Sequence, residues 1–180
     1  MRKQKGFSLI ELLIVVAIIL IIAAIAIPNL MRSKQAANQA AAAANVRTLI
    51  GAETTFSTTF PAVGYAGGLF QLGPGAASCA APHPDTVNGC MVDFSLGCAA
   101  GAPGGFCNKD NYSYAITGIP AAAPFNDYVV FATPVNATAG LMDYCSTSDG
   151  VVRWQKSAAA PPSPIVNTTN GCTNAPFAPL

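Results

Sequence analysis

The sequence predicts an α+β protein in which a long amino-terminal helix packs on a small antiparallel sheet of about four strands. Three observations predict this fold. An almost unbroken apolar run fills residues 7–27, and helix-forming residues extend it to about residue 60. Segments of alternating or β-branched residues follow residue 111. Six cysteines lie between residues 79 and 172, after the predicted helix, so we expect disulfides to hold the loops of this part of the chain.

Residues 7–28 form the first part of the predicted helix and are apolar enough to cross a membrane. Only Ser8 and Glu11 interrupt the run before Pro28. As a helix rising about 1.5 Å per residue, the run spans roughly 30 Å, the thickness of a bilayer's hydrocarbon core. A cleaved secretory signal has a shorter apolar core followed by its cut site, whereas here the small residue, Gly6, comes first. We therefore expect the anchor to remain after processing.

Three cations precede the apolar run: Arg2, Lys3 and Lys5. By the positive-inside rule they hold the amino terminus in the cytoplasm and send the rest of the chain outward. Without them six basic and eight acidic residues remain, so the formal net charge changes from +1 to −2. No basic surface for nucleic acid is therefore evident.

Glu11 is the one charged residue inside the apolar run. A carboxylate near the hydrocarbon costs on the order of 3 kcal/mol, so such an acid usually has a partner or a function. It is either tolerated at headgroup depth or paired with a cation in the same layer. If the chain is cut after Gly6, the new α-amine of Phe7 could pair with Glu11 of a neighbouring copy.

The segment Gly6-Phe7-Ser8-Leu9-Ile10-Glu11-Leu12, followed by an apolar run and Pro28, resembles the amino terminus of type IV pilins and of type II secretion pseudopilins. The resemblance covers about the first sixty residues. It implies that residues 1–6 are a leader peptide, that a prepilin peptidase cuts between Gly6 and Phe7 and methylates the Phe7 amine, and that Glu11 and Pro28 serve assembly.

The same resemblance implies a structural subunit, not an enzyme, that polymerises through its apolar helix. Its partners would be further copies of itself and minor pilins, the peptidase, and an inner-membrane assembly platform with its ATPase. Before assembly it would be an inner-membrane protein with a periplasmic head, and afterwards part of an extracellular pilus. Adhesion, motility, DNA uptake and secretion are all open as the role of such a filament.

Two alternatives stay open. A pseudopilin of a type II secretion system shares the first thirty residues, but six cysteines, no evident calcium loop and a long head favour a pilus subunit. A membrane-anchored binding or enzymatic domain could use the segment only as an anchor. That domain would need a better supply of catalytic side chains than this chain has.

Residues 29–60 are predicted to continue the helix beyond Pro28, which should bend or loosen it without ending it. The alanine-rich stretch 36–44 has the highest helix propensity. Apolar residues then recur at three- and four-residue spacing, at Val46, Leu49, Ile50, Phe56 and Phe60. This stripe needs a partner surface, which we expect to be the sheet. Pro61 is the predicted end of the helix.

The head, residues 61–180, is predicted to contain a loop region over 61–110, a sheet over 111–156 and an irregular tail over 157–180. The four strands are expected around 112–116, 128–133, 142–146 and 151–155, the last two joined by a turn with Asp149 and Gly150. Residues 91–96 are expected to form a short helix or strand. Val152 and Trp154 share the strand face that could pack on the helix.

The six cysteines are Cys79, Cys90, Cys98, Cys107, Cys145 and Cys172, all on the exported side, where disulfides are expected. Fifteen pairings are possible, and sequence order favours Cys79 with Cys90, Cys98 with Cys107 and Cys145 with Cys172. A zinc site is rejected because no Cys-x-x-Cys occurs and His83 is the only histidine.

Other candidate site residues have simpler structural explanations. Glu53 lies near the apolar stripe, where a helix-surface or capping role is favoured over a functional one. Asp143 and Asp149 lack the further oxygen ligands that calcium requires. The glycine-rich residues 101–105 lack the Lys-Ser/Thr of a phosphate-binding loop. Neither a catalytic residue nor a cofactor is therefore predicted.

Four aromatic residues are expected in the sheet, not in a binding platform: Tyr112, Tyr114, Tyr128 and Trp154. Three glycosylation sequons match by pattern only, at Asn111, Asn136 and Asn167.

Overall fold

The computed structural model describes residues 8–74, 79, 84–98, 105–157, 169–174 and 176–180. The chain divides into two compact units, Met1–Lys34 and Gln35–Leu180. The first is helical from Leu9 onward, and the second contains the rest of that helix with the sheet and its loops. We refer to the second unit as the head unit.

Helix α1 covers Leu9–Thr59, 51 residues, and continues through Pro28 as predicted. Proline has no N–H, so the carbonyl of Ala24 four residues earlier receives no helical hydrogen bond. The alanine-rich stretch that follows has enough helix propensity to continue the helix. The helix ends before Pro61, where the N–H of Phe60 still donates to the carbonyl of Phe56 at 2.8 Å.

Among the described residues the sheet has six strands instead of the predicted four or so, and all neighbouring strands are antiparallel in the order β1-β2-β3-β4-β5-β6. Their bounds are β1 Cys107–Lys109, β2 Tyr112–Ile119, β3 Asp127–Pro134, β4 Met142–Thr147, β5 Arg153–Lys156 and β6 Ala178–Pro179. The four expected strands correspond to β2, β3, β4 and β5. The sheet is thus a meander in which each strand pairs with the next along the chain.

The two unpredicted strands, β1 and β6, are too short to show a period of two. Three residues form β1, and it is a strand because Cys107 to Lys109 pair with β2 across a tight turn. Only two residues form β6, which pairs with β5 at the sheet edge. An edge position tolerates Pro179, whose missing N–H removes no ladder bond on the outer side.

One face of the sheet packs on α1 and forms the main core, which confirms the predicted role of the apolar stripe. Val46, Leu49 and Phe56 of the helix are fully buried there. Alternate residues of β2 and β3 meet them, among them Tyr114 and Val130. The sheet therefore buries the helix stripe, while Ile50 and Phe60 pack at its margin.

The opposite face of the sheet has a smaller core made with the end of the chain. Val129, Phe131 and Cys145 lie on this face and pack with Cys172 and Phe177. The tail is therefore not wholly irregular, because it contains the short helix α3 at Thr169–Thr173 as well as β6. The sequence pattern predicted neither element, because α3 and β6 are held in place by contacts with the sheet and by one disulfide.

The loop region 61–110 also contains more structure than expected, and one of its predictions is wrong. Residues Leu69–Leu72 form a single helical turn, α2, whose first and last leucines are buried. Residues 91–96 form neither helix nor strand but a turn, because the carboxylate of Asp93 accepts the N–H groups of Ser95 and Leu96 at 2.9 and 3.0 Å. This competes with regular backbone bonding.

The six cysteines form three disulfides in the order favoured from the sequence. The pairs are Cys79–Cys90, Cys98–Cys107 and Cys145–Cys172. The first links two residues before the sheet, the second joins Cys98 to the first residue of β1, and the third joins β4 to α3.

Candidate functional site

The amino-terminal end of α1 carries the first candidate site, at Glu11. Ser8 precedes the helix, and its backbone N–H donates to Glu11 Oε2 at 2.9 Å. Its carbonyl accepts the N–H of Glu11 at 3.1 Å and that of Leu12 at 3.3 Å. The spacing Ser-x-x-Glu is that of a capping box, of which the glutamate half is formed here. Glu11 thus satisfies one of the free N–H groups of its own helix and adds a negative charge at its positive end.

The capping contact could have been recognised in the sequence, since Ser8-Leu9-Ile10-Glu11 matches the pattern, yet reasoning from membrane cost alone missed it. Gly6 and Phe7, the predicted cleavage site, lie outside the described residues. Their processing and the charge pairing of Glu11 with a Phe7 amine therefore stay predictions.

Helix α1 presents an apolar surface on every side between residues 9 and 27. Its large apolar side chains are all exposed, from 46% for Val16 to 80% for Leu9. Within the described residues, α1 is the one helix long and apolar enough, by length and composition, to cross a membrane. An all-apolar helix surface is unstable in water and therefore requires lipid or another protein around it.

Glu53 is the second candidate, for which a helix-surface or a capping role was predicted; it does not lie on the surface. The side chain is fully buried on the core face of α1. Its Oε2 accepts the N–H of Ala66 at 2.8 Å, and Oε1 has no hydrogen-bond partner in the described part of the chain. Burial raises the pKa of Glu53 to about 8, although the Ala66 bond lowers it. Glu53 therefore anchors the loop after α1 to the helix, mostly as a neutral acid at pH 7.

Three tyrosines lie in the sheet, as expected, and their side chains belong to the core that contains the helix stripe. Tyr112 donates its hydroxyl to the carbonyl of Met142 at 3.0 Å, and Tyr114 accepts the side-chain N–H of Asn45 at 2.9 Å. Tyr128 lies near Glu53. Burial is the main cause that raises the pKa of Tyr128, and the negative charge of ionised Glu53 raises it further. Trp154 packs at the margin of the same core. None of them forms an exposed aromatic platform.

Asp143 and Asp149, considered for calcium, have separate partners. Asp149 forms an ion pair with Arg153 at 2.5 Å, and this bond lowers the pKa of Asp149. Asp143 is fully buried, and its Oδ2 accepts the side-chain N–H of Gln155 at 3.3 Å. The described residues contain no group of three or more His, Cys, Asp or Glu side chains that could hold a metal ion. His83 and residues 101–104 lie outside the described residues.

The sequons differ in accessibility. Asn111 lies in the tight β1–β2 turn with a positive φ of 62°, and Ser113 of the same sequon is buried. Asn136 is exposed, and its side-chain oxygen accepts the N–H and hydroxyl of Thr138 at 3.1 and 2.6 Å. Asn167 lies outside the described residues.

Comparison with known proteins identifies the amino-terminal segment. Residues 1–27 match the family model described as the prokaryotic N-terminal methylation motif. The chain is 63% identical over 38 residues to the type IV wide pilus major component PilA4 of Thermus thermophilus, which covers 21% of this chain and 29% of that protein. It is 48% identical over 54 residues to the type IV major pilin protein PilA of Myxococcus xanthus, covering 30% of this chain and 24% of the relative.

A relative from secretion systems also matches part of the chain. The type II secretion system core protein G of Vibrio cholerae is 43% identical over 49 residues, or 27% of this chain and 34% of that protein. The matches thus span about a quarter to a third of the length of these curated relatives. No solved structure matches.

The chain thus carries a prokaryotic N-terminal methylation motif at the start of its exposed apolar helix. Over part of its length it is similar to type IV pilins and to a core protein of type II secretion systems.

Proposed function

We propose that this chain is a structural subunit of a type IV pilus. In this proposal a prepilin peptidase removes residues 1–6, the amine of Phe7 is methylated, and the helix assembles with those of other copies. The observation that carries the proposal is the all-round exposure of residues 9–27 on a helix whose later part is buried in the head core. The names of the relatives, two of them major pilins, support it.

The physical argument concerns where the apolar surface goes. In the membrane, lipid covers residues 9–27, and in a filament other helices would do so. Extraction from the membrane therefore exchanges lipid contacts for protein contacts, with energy supplied from outside the chain. An inner-membrane platform and its ATPase would supply that work, and the head would face the periplasm before assembly and the fibre surface afterwards.

A pseudopilin of a type II secretion system is the second candidate, because one relative is a core protein of that system. Three disulfides in the head, and two separately paired aspartates where a calcium loop was considered, favour the pilus subunit. A membrane-anchored binding domain is a more distant candidate.

Shearing of the cells tests the proposal directly. Filaments released by shear should contain this protein, beginning at a methylated Phe7 when its mass is measured. If the protein stays entirely in the membrane fraction, polymerisation into a surface pilus is wrong.

Substitution of Glu11 separates capping from charge pairing. Glu11→Gln keeps an oxygen that can accept the Ser8 N–H, whereas Glu11→Ala removes both acceptor and charge. If the charge pairs with the Phe7 amine, both variants should be cleaved normally and lose filament incorporation by about the same factor, roughly tenfold or more. Filament yield for Glu11→Gln equal to that of the unaltered chain would show that capping is its whole role.

A further inference from the structure

The charged side chains of the head unit leave a few exposed charges without an ionic partner. Lys109 pairs with Asp93, and Arg153 with Asp149, each at 2.5 Å. Two cations, Arg47 and Lys156, are exposed and form no ion pair with any residue that the structure describes. Asp110 is an exposed carboxylate, also without an ion pair among the described residues.

Arg47 lies on the side of α1 that faces away from the sheet. Its neighbour Val46 is fully buried in the core, whereas Arg47 is exposed. Of the residues three and four positions away on the helix, Ala44 and Gly51 are exposed, Ile50 is partly buried and Ala43 is buried. Because Ala44 and Gly51 have short side chains or none, the guanidinium is open to another molecule on their side.

Asp110 lies in a turn beside Asn45, on a different side of the helix from Arg47. It has a positive φ of 51° between β1 and β2, and its Oδ2 accepts the side-chain N–H of Asn45 at 3.1 Å. Asn45 also bonds the hydroxyl of Tyr114, which holds it in place. Asn45 and Arg47 are two residues apart and so lie about 200° from each other around the helix. Asp110 and Arg47 of one copy therefore point to opposite sides of α1.

We propose that Arg47 of one copy binds Asp110 of the next copy in the filament, a proposal that rests on the proposed function as a filament subunit. A guanidinium and a carboxylate make the most directional of ion pairs, often with two parallel hydrogen bonds. The two groups lie on different sides of the molecule, so the contact is heterologous. Each copy then offers Arg47 to one neighbour and Asp110 to another, and the contact repeats along an open helical array without closing into a dimer.

Charge reversal on the full-length chain tests this contact through the yield of sheared filaments. Arg47→Glu and Asp110→Lys should each reduce that yield at least fivefold, because like charges then meet at every repeat of the contact. The double variant Arg47→Glu/Asp110→Lys restores an opposite pair and should return the yield to within about twofold of the unaltered chain. Lys156→Glu is the matched control, since it makes the same change of net charge at the other unpaired cation, and it should leave the yield unchanged.

Asp110→Asn guards against a folding defect at the positive φ, because asparagine tolerates this conformation and keeps an oxygen for Asn45. It should lower the yield two- to threefold and make it less sensitive to added salt. The proposal is overturned if Asp110→Asn or Arg47→Glu assembles normally, if the double variant is no better than either single variant, or if Lys156→Glu loses as much. Absence of filaments from the unaltered chain would instead refute the proposed function.

Discussion

Replacement of Glu53 by Gln should make the head unit more stable at neutral and alkaline pH. The carboxyl group is fully buried, and a single hydrogen bond from Ala66 compensates for its removal from water. Glutamine has nearly the same shape and can accept that bond through its amide oxygen. The atom at the Oε1 position lacks a partner among the described residues, both in the protonated acid and in the amide, and neither form places a charge there.

The magnitude follows from the pKa. The carboxyl group titrates near 4.5 when exposed and near 8 in the folded protein, so the folded state holds a proton that the unfolded state has lost. Its contribution to stability is complete below pH 4.5 and declines by about 1.4 kcal/mol per pH unit until pH 8, above which it is constant. Between pH 5 and pH 8 this amounts to about 4 kcal/mol, a large part of the 5–15 kcal/mol typical of a domain.

Urea denaturation of the full-length oxidised chain in detergent measures this effect. The fluorescence of Trp154, the only tryptophan, reports on the core because its side chain packs against it. The unaltered chain should lose several kcal/mol between pH 5 and pH 8 relative to Glu53→Gln, whereas the two should agree within about 1 kcal/mol at pH 5. Asp110→Asn, a change at an exposed carboxylate, should keep the pH dependence of the unaltered chain. Equal pH dependence in the unaltered chain and in Glu53→Gln would refute the reasoning.

Two further predictions concern the core and the disulfides, and both use the same denaturation measurement. Leu49→Ala, at a fully buried position, should destabilise the head unit by about 2–5 kcal/mol, and Ile50→Ala, at the core margin, by less than half as much. Equal losses would contradict the packing of the stripe. Replacement of Cys145 and Cys172 by alanine opens a loop of 27 residues and should cost about 3.5 kcal/mol by the chain-entropy relation. The same change at Cys98 and Cys107, 9 residues apart, should cost about 2.6 kcal/mol, and the reverse order would argue against loop entropy as the main term.

Long elements with a clear period could be predicted from the sequence, whereas very short ones could not. The continuation of α1 through Pro28 follows from strong helix propensity on both sides of a single missing hydrogen bond. Strands β2 to β5 have enough residues to show alternation or a β-branched run. By contrast, β1 and β6 have three and two residues, and only pairing with a neighbouring strand makes them strands.

The candidate site divides in a similar way. Glu11 could be recognised because an acid in an apolar run is conspicuous, and its capping contact is local enough to be predicted from Ser8. The burial of Glu53 depends on where residue 66 folds back onto α1, which no local pattern records. The proposed roles of Arg47 and Asp110 likewise could not be inferred from the sequence, because they depend on which other charged side chains form ion pairs in the folded head unit.

The sequence by itself determined the apolar helix, its methylation motif and the amphipathic stripe, because each depends on residues a few positions apart. The tertiary structure decided how many strands the sheet has, which carboxyl group is buried and which charges stay exposed. These depend on contacts between residues far apart in the chain. Burial removes water from one side chain and leaves it around another, and that difference sets the state of Glu53 and the availability of Arg47.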